Sequence, residues 1–182
     1  MATITNPTLP GGTALHAPAA RPGLDVDLDL DLDLDLADLT DLVRCTAADE
    51  SHWRPLVRYA ETGRWWTRLS GDDTVDVWLL SWLRDQTTDL HDHGGSRAAF
   101  TVVQGALHEL RPAGEGLTNE RIAPGRIQWV APGVVHDVGN PWTTPAVSIH
   151  AYSPPLTSMT YYRRGRHGLT AVETRATDGP ER

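Results

Sequence analysis

The chain has 182 residues, 40% hydrophobic and 22% charged, enough for one soluble globular domain and hardly two. Its formal net charge of −8 argues against nucleic acid as a partner, and no apolar run approaches the roughly 18 residues that span a bilayer, so no membrane partner is expected. A single cysteine, Cys45, and an N-terminus without a basic stretch leading into an apolar one are read as a reducing, cytoplasmic setting with no secretory leader.

From Asp25 to Leu36 six aspartates alternate with Leu or Val, and without them the formal charge falls to about −2. Strict alternation is a strand pattern, yet Asp is depleted in strands and aligned like charges repel. Residues 1–37 are therefore expected to form a low-complexity, disordered lead-in outside the fold. Leu36, Leu39, Leu42 and Val43 then recur at helical spacing and predict a short helix to about Ala47, with Cys45 as a small buried group on it. A second helix is predicted from Ser51, burying Trp53, Leu56, Val57 and Ala60 and stopping at Gly63.

Strands follow. Thr74 to Leu83, Phe100 to Val103, Ala106 to Leu110, Arg126 to Val130 and Ala146 to Tyr152 are rich in apolar and β-branched residues, with Pro, Gly and Asn punctuation between them. Gln104-Gly105 reads as a hairpin turn. Many short strands after two helices indicate a mainly β fold, a sandwich or small barrel, with most of the seven Trp in its core. The folded domain is expected over residues 38–175, with a flexible tail over 176–182.

The chemistry gathers on histidines. His91 and His93 lie at i and i+2, which puts both imidazoles on one side of an extended segment. His136 follows Pro132-Gly133 and precedes Asn140 near a later strand. This pattern resembles the two metal-binding motifs of the cupin superfamily, which implies a single jelly-roll β-barrel behind short N-terminal helices. Three features depart from it, one of them an extra residue before Pro132 in the second motif. The carboxylate ligand expected after His93 is replaced by Arg97 and Ala98, and Asp85 stands where a Gly is expected before His91. Three neutral imidazoles leave a divalent ion its full charge, which suits an anionic thiolate ligand.

Ser148, His150 and Tyr152 alternate, so their side chains share one face, and Ser153-Pro154-Pro155 follows them. Together with His91-Asp92-His93-Gly94-Gly95-Ser96 and Val135-His136, this segment resembles the cysteine dioxygenase family over about residues 38 to 165. The resemblance implies one iron(II) per chain on His91, His93 and His136, with O2 as co-substrate. It also implies an outer relay of Ser148, His150 and Tyr152, in which the phenol donates to substrate or to developing charge. L-cysteine would be the small-molecule substrate and cysteine sulfinic acid the product. Arg68 would bind the substrate carboxylate, with Arg64 as its rival, and Trp66 replaces the family's nearby Tyr. A thioether between Tyr152 and a neighbouring Cys, present in animal relatives, is not expected because Ala98 occupies the position. A monomer is the expected state. A dioxygenase for 3-mercaptopropionate and a non-catalytic metal-binding sensor remain the alternatives.

Overall fold

The structure, a computed structural model, describes residues 33–114, 116–166, 168–177 and 179–180. Most of the expected lead-in lies outside the described residues. The part that is described belongs to the fold: Asp35 accepts hydrogen bonds from the backbone N–H groups of Ala37 and Asp38 at 2.7 and 2.9 Å, capping helix α1 (Leu36–Ala48). Such a cap contributes about 1 kcal/mol. One residue earlier, the Leu34 N–H donates to Ser153 Oγ at 2.8 Å.

Leu39 and Val43 are the buried stripe of α1. Cys45 lies two residues beyond Val43, about 200° around the helix, and is exposed rather than buried as expected. The second helix is also shorter than its apolar spacing implies. α2 (Glu50–Trp53) gives way to a 3-10 turn (Arg54–Leu56), since Pro55 has no N–H with which to continue an α-helix. Trp53 is buried, while Leu56 is 40% exposed.

Eleven strands follow among the described residues: β1 (Trp65–Gly71), β2 (Asp76–Trp82), β3 (His91–Asp92), β4 (Arg97–Gln104), β5 (Leu107–Ala113), β6 (Gly116–Ile122), β7 (Ile127–Val130), β8 (Asp137–Gly139), β9 (Ala146–Ser153), β10 (Ser158–Gly165) and β11 (Gly168–Ala176). They form a five-stranded sheet in the order β1-β2-β9-β4-β7 and two three-stranded sheets, β11-β10-β3 and β6-β5-β8. β4 and β5 do not pair. Gly105 (φ +73°) turns the chain out of the large sheet and into a small one, and a Cβ there would stand 2.5 Å from the Pro145 carbonyl oxygen. The crowding explains the glycine, and the crossover replaces the hairpin expected at Gln104-Gly105.

β2 and β9 are buried along their whole length because the large sheet is covered on both faces. Val77, Leu79, Ala99, Val147, Ile149 and Ala151 pack outward beneath Leu39, Val43 and Trp53. Trp78, Leu80, Trp82, Ala98, Phe100, Val102 and Tyr152 point inward, joining Leu107, Val138, Met159 and Tyr161 from the small sheets. This is the jelly-roll barrel with N-terminal helices, its interior built from alternate residues of each strand. At the chain's end, in the segment expected as a loose tail, the Thr177 N–H donates to the Thr157 carbonyl at 2.9 Å, and Gly179 packs on the Trp78 ring.

Candidate metal centre

β3 and the residues preceding β8 meet through two backbone hydrogen bonds, His91 N–H to the His136 carbonyl and His136 N–H to the His91 carbonyl, both 2.9 Å. Sheet pairing thus joins imidazoles that are 45 positions apart. His93 is aimed by the turn that follows β3. Asp92 accepts from the Gly94 N–H at 2.8 Å and from the Tyr162 hydroxyl at 2.6 Å, and Gly94 takes the left-handed conformation (φ +58°). Upstream, Asp85 fills the position where the cupin pattern expects Gly. It adopts φ +63° and donates its N–H to the Asn140 carbonyl at 2.7 Å. Asp is one of the few side-chain-bearing residues that visit this region routinely. Asn140 is a loop brace, its side-chain amide donating to the carbonyls of Trp82 and Thr144.

The ligand-capable nitrogens of His91, His93 and His136 lie within 4.8 Å of one another, and all three residues are buried. His93 Nε2 is 3.1 Å from His91 Nε2 and 3.3 Å from His136 Nε2. His91 Nδ1 meets the Asp89 carbonyl at 2.9 Å and His136 Nδ1 meets Glu109 at 2.8 Å. An oxygen acceptor at Nδ1 fixes the proton there and leaves a lone pair on Nε2. Two inward lone pairs flank His93 Nε2, which could donate a proton to only one of them. A cation satisfies all three. At the usual nitrogen–metal distance of about 2.0–2.1 Å, these separations correspond to angles of roughly 95–110° at the ion. The residues therefore fit a divalent transition metal held on one side.

Burial keeps His91 and His93 neutral. Burial, followed by the charge of neighbouring imidazoles, pushes His91 and His93 well below the ordinary histidine range. Glu109 is buried too, which alone would raise its pKa. Hydrogen bonds from His136 and Arg111 outweigh that and hold it below the ordinary value.

Beside this group stands the inner face of β9. Trp82 Nε1–H donates to Ser148 Oγ at 2.8 Å, and Ser148 Oγ lies 2.8 Å from His150 Nε2. With Trp82 donating, the serine hydroxyl is free to donate to His150 Nε2, which places the imidazole proton on Nδ1. His150 is stacked on Phe100 (centroids 4.7 Å apart, planes 4° apart), and burial with the charges of His136 and Arg64 lowers its pKa to about 3. Tyr152 meets His150 ring to ring, with centroids 6.4 Å apart, and stands edge-on to His93 at 5.0 Å. Burial raises its phenol well above the usual range despite the opposing charge of Arg64. Ala98 is the cross-strand partner of Tyr152, so a methyl group faces the ring.

The two arginines have opposite surroundings. Arg68 is 46% exposed and ion-paired to the buried Asp76 near the closed end of the β1–β2 hairpin. Arg64 is buried just before β1, its guanidinium 5.1 Å from the Trp82 ring centroid and donating to the Thr87 carbonyl. The Arg64 charge acts on His91, His150 and Tyr152. Trp66, in place of the family's Tyr, packs edge-on against Trp78 and offers no hydroxyl.

Motif reading left out Glu109 and Trp82. A signal for the first was present: Leu107, Glu109 and Arg111 alternate on one face of a strand, and two charges on a core-facing side need a partner.

The sequence profile of cysteine dioxygenase type I matches residues 28–165. Cysteine dioxygenase type 1 of Danio rerio is 26% identical over 119 residues, covering 56% of this chain and 57% of that protein. The chain thus spans little more than half the length of that curated relative. Among solved structures, an uncharacterized conserved protein with a double-stranded β-helix domain from Klebsiella pneumoniae matches with TM-score 0.50 and 19% identity, covering 56% of this chain and 80% of that one. A Thermus thermophilus protein matches with TM-score 0.50 and 20% identity, covering 56% and 92%. These two likenesses bear on the fold.

Proposed function

The chain belongs to the cysteine dioxygenase type I family, and from that premise we propose that it is an iron(II) dioxygenase that oxidises L-cysteine to cysteine sulfinic acid. The observation that carries this reading is the convergence of His91, His93 and His136, a buried group of ligands with no carboxylate among them. Bound iron(II) would supply ligation of the thiolate and activation of dioxygen. The reaction balances as one thiol plus one O2 giving one sulfinic acid, with both oxygen atoms on sulfur. Sulfur loses four electrons and dioxygen gains them.

The protein's own part is placement and charge. Arg64 binds the substrate carboxylate, because its guanidinium is buried over the ring of Trp82, whose indole holds Ser148 beside His150. Arg68 is the alternative, but binding substrate would cost it the Asp76 ion pair. Tyr152 stays protonated and donates from its hydroxyl to the substrate or to negative charge as it develops. Neutral His150, pinned by Ser148 and Trp82 and stacked on Phe100, holds the wall against which Tyr152 packs.

An oxygen electrode trace with iron-loaded protein and a panel of L-cysteine, 3-mercaptopropionate and cysteamine tests the reading, followed by identification of the sulfur product. Cysteine is expected to be consumed with one O2 per thiol. Preference for 3-mercaptopropionate would reassign the substrate, and no uptake with any thiol would leave a metal-binding sensor. Arg64→Gln should raise KM for cysteine about tenfold or more, the value of a charge-assisted hydrogen bond, while leaving KM for carboxylate-free cysteamine unchanged. A larger effect from Arg68→Gln would move carboxylate binding to that residue.

A further inference from the structure

The three imidazoles are not held alike. His91 Nδ1 meets a neutral backbone carbonyl, that of Asp89, at 2.9 Å. His93 Nδ1 is buried with no hydrogen-bond partner among the described residues. His136 Nδ1 alone meets a carboxylate, Glu109 Oε1 at 2.8 Å, in a side chain only 1% exposed. That carboxylate is braced in turn. Arg111, two residues along β5, approaches the same oxygen through Nη2 at 2.9 Å, and Nη2 also donates to the Trp129 carbonyl on β7 at 2.6 Å. A buried ion pair is poor value as a stabilising device, since desolvating the charges costs several kcal/mol per ion before attraction offsets it. Apolar side chains of similar volume would serve the core as well. The arrangement calls for another use.

We propose that Glu109 is a positioning residue for the metal centre: it holds the Nδ1–H of His136, keeps the Nε2 lone pair turned toward the other two imidazoles, and supplies an outer negative charge to a ligand set that has none of its own. The inference rests on the metal-binding half of the proposed function. Its chemistry is general. An imidazole hydrogen-bonded to a carboxylate is a more basic ligand than one bonded to a carbonyl, and its ring cannot rotate or change tautomer without losing that bond. His136 is accordingly the strongest donor of the three. Arg111 is 28% exposed and the Glu109 side chain 1%, so water screens the cation more than the anion, and the carboxylate's field reaches His136 with less attenuation. The placement depends on strand geometry. Glu109 lies opposite Val138 in the β5–β8 pairing, two positions beyond His136, so sheet register sets the distance between carboxylate and ring.

Cobalt(II) is the probe, because it binds nitrogen sites and its visible absorption bands report the ligand field directly. Metal-free protein is titrated by calorimetry and by absorption. Glu109→Gln keeps a side-chain oxygen to accept the Nδ1–H but removes the charge. Glu109→Ala removes both. The expected order of affinity is wild type, then Gln weaker by about tenfold, then Ala weaker by about 10–100-fold, with the cobalt bands shifted in both variants. Glu120→Gln, on the neighbouring strand opposite Glu109, removes a carboxylate that pairs with exposed Arg126, and should bind cobalt like wild type. Thermal melts establish that each variant is folded. Should Glu109→Ala fail to fold, Glu109→Gln decides alone, since it preserves the size of the side chain. Wild-type affinity and unshifted bands in folded Gln and Ala variants would overturn the inference. Weakening in Ala with none in Gln would overturn the role of the charge. No thiol or dioxygen enters the titration, so failure of thiol oxidation would leave this result intact, and the converse holds.

Discussion

The two faces of the large sheet are equally dry and serve opposite ends. On the outer face, Val77, Leu79, Ala99, Val147, Ile149 and Ala151 lie at 0% exposure under α1. Buried polar residues of that face, Ser81, Thr101 and Ser153, are each satisfied by a backbone carbonyl, of Arg58, Arg126 and Thr74. On the inner face two of the same strands, β2 and β9, carry Trp82, Ser148, His150 and Tyr152 at 5% exposure or less. Apolar area removed from water stabilises by about 25 cal/mol per Å² wherever it lies. An unpartnered buried polar group costs about 1–3 kcal/mol, so the inner face holds its imidazoles only because a network supports them. Burial therefore does not separate core from site in this barrel. Strand parity does.

Substitution on each face should break different properties. The largest effect is expected from His93→Ala, which should abolish metal binding and oxygen uptake together while the melting transition persists. Retained turnover would refute the ligand assignment. Leu39→Ala, beneath the outer face, should do the reverse, costing about 2–5 kcal/mol in denaturant unfolding with the metal stoichiometry of the folded protein unchanged. The smallest effect is a graded one with pH, carried by imidazoles in the barrel interior. His150 has its folded pKa lowered to about 3 from an ordinary 6.5, so as pH falls the unfolded chain takes up the proton first. Stability of the metal-free protein is then full above about pH 6.5 and declines below it, by about 1.4 kcal/mol per pH unit for His150, until the folded pKa is reached. His91 and His93, depressed in the same direction, steepen the decline. Unfolding free energies between pH 7 and 5 test this, and His150→Phe should flatten the slope by one proton.

Much of this was visible in linear order. The apolar spacing of Leu36, Leu39 and Val43 marks α1, and the runs around Val77, Ile127 and Ile149 mark strands. The i, i+2 spacings put His91 beside His93 and Ser148 beside His150 without reference to any other part of the chain. Less visible was whatever depended on which strand pairs with which. Gln104-Gly105 has the composition of a hairpin turn, yet packing against Pro145 makes it a crossover between sheets. Pro55 cut short a helix whose apolar spacing runs past it. Asp85 keeps a backbone conformation that a glycine would have announced more clearly.

By itself, the order of residues determined that this is a β-rich domain with short leading helices, and that its candidate site is built on imidazoles at i and i+2 spacing. Those facts are local, set by side-chain identity and by the two-residue period of a strand. The tertiary structure alone decided that Glu109 would reach His136 across 27 positions, that Trp82 would donate to Ser148 across 66, and that Arg64 would be buried over the Trp82 ring. Each of these is a contact between strands or the residues that lead into them. Sheet register sets it, and register is a property of the packed barrel as a whole.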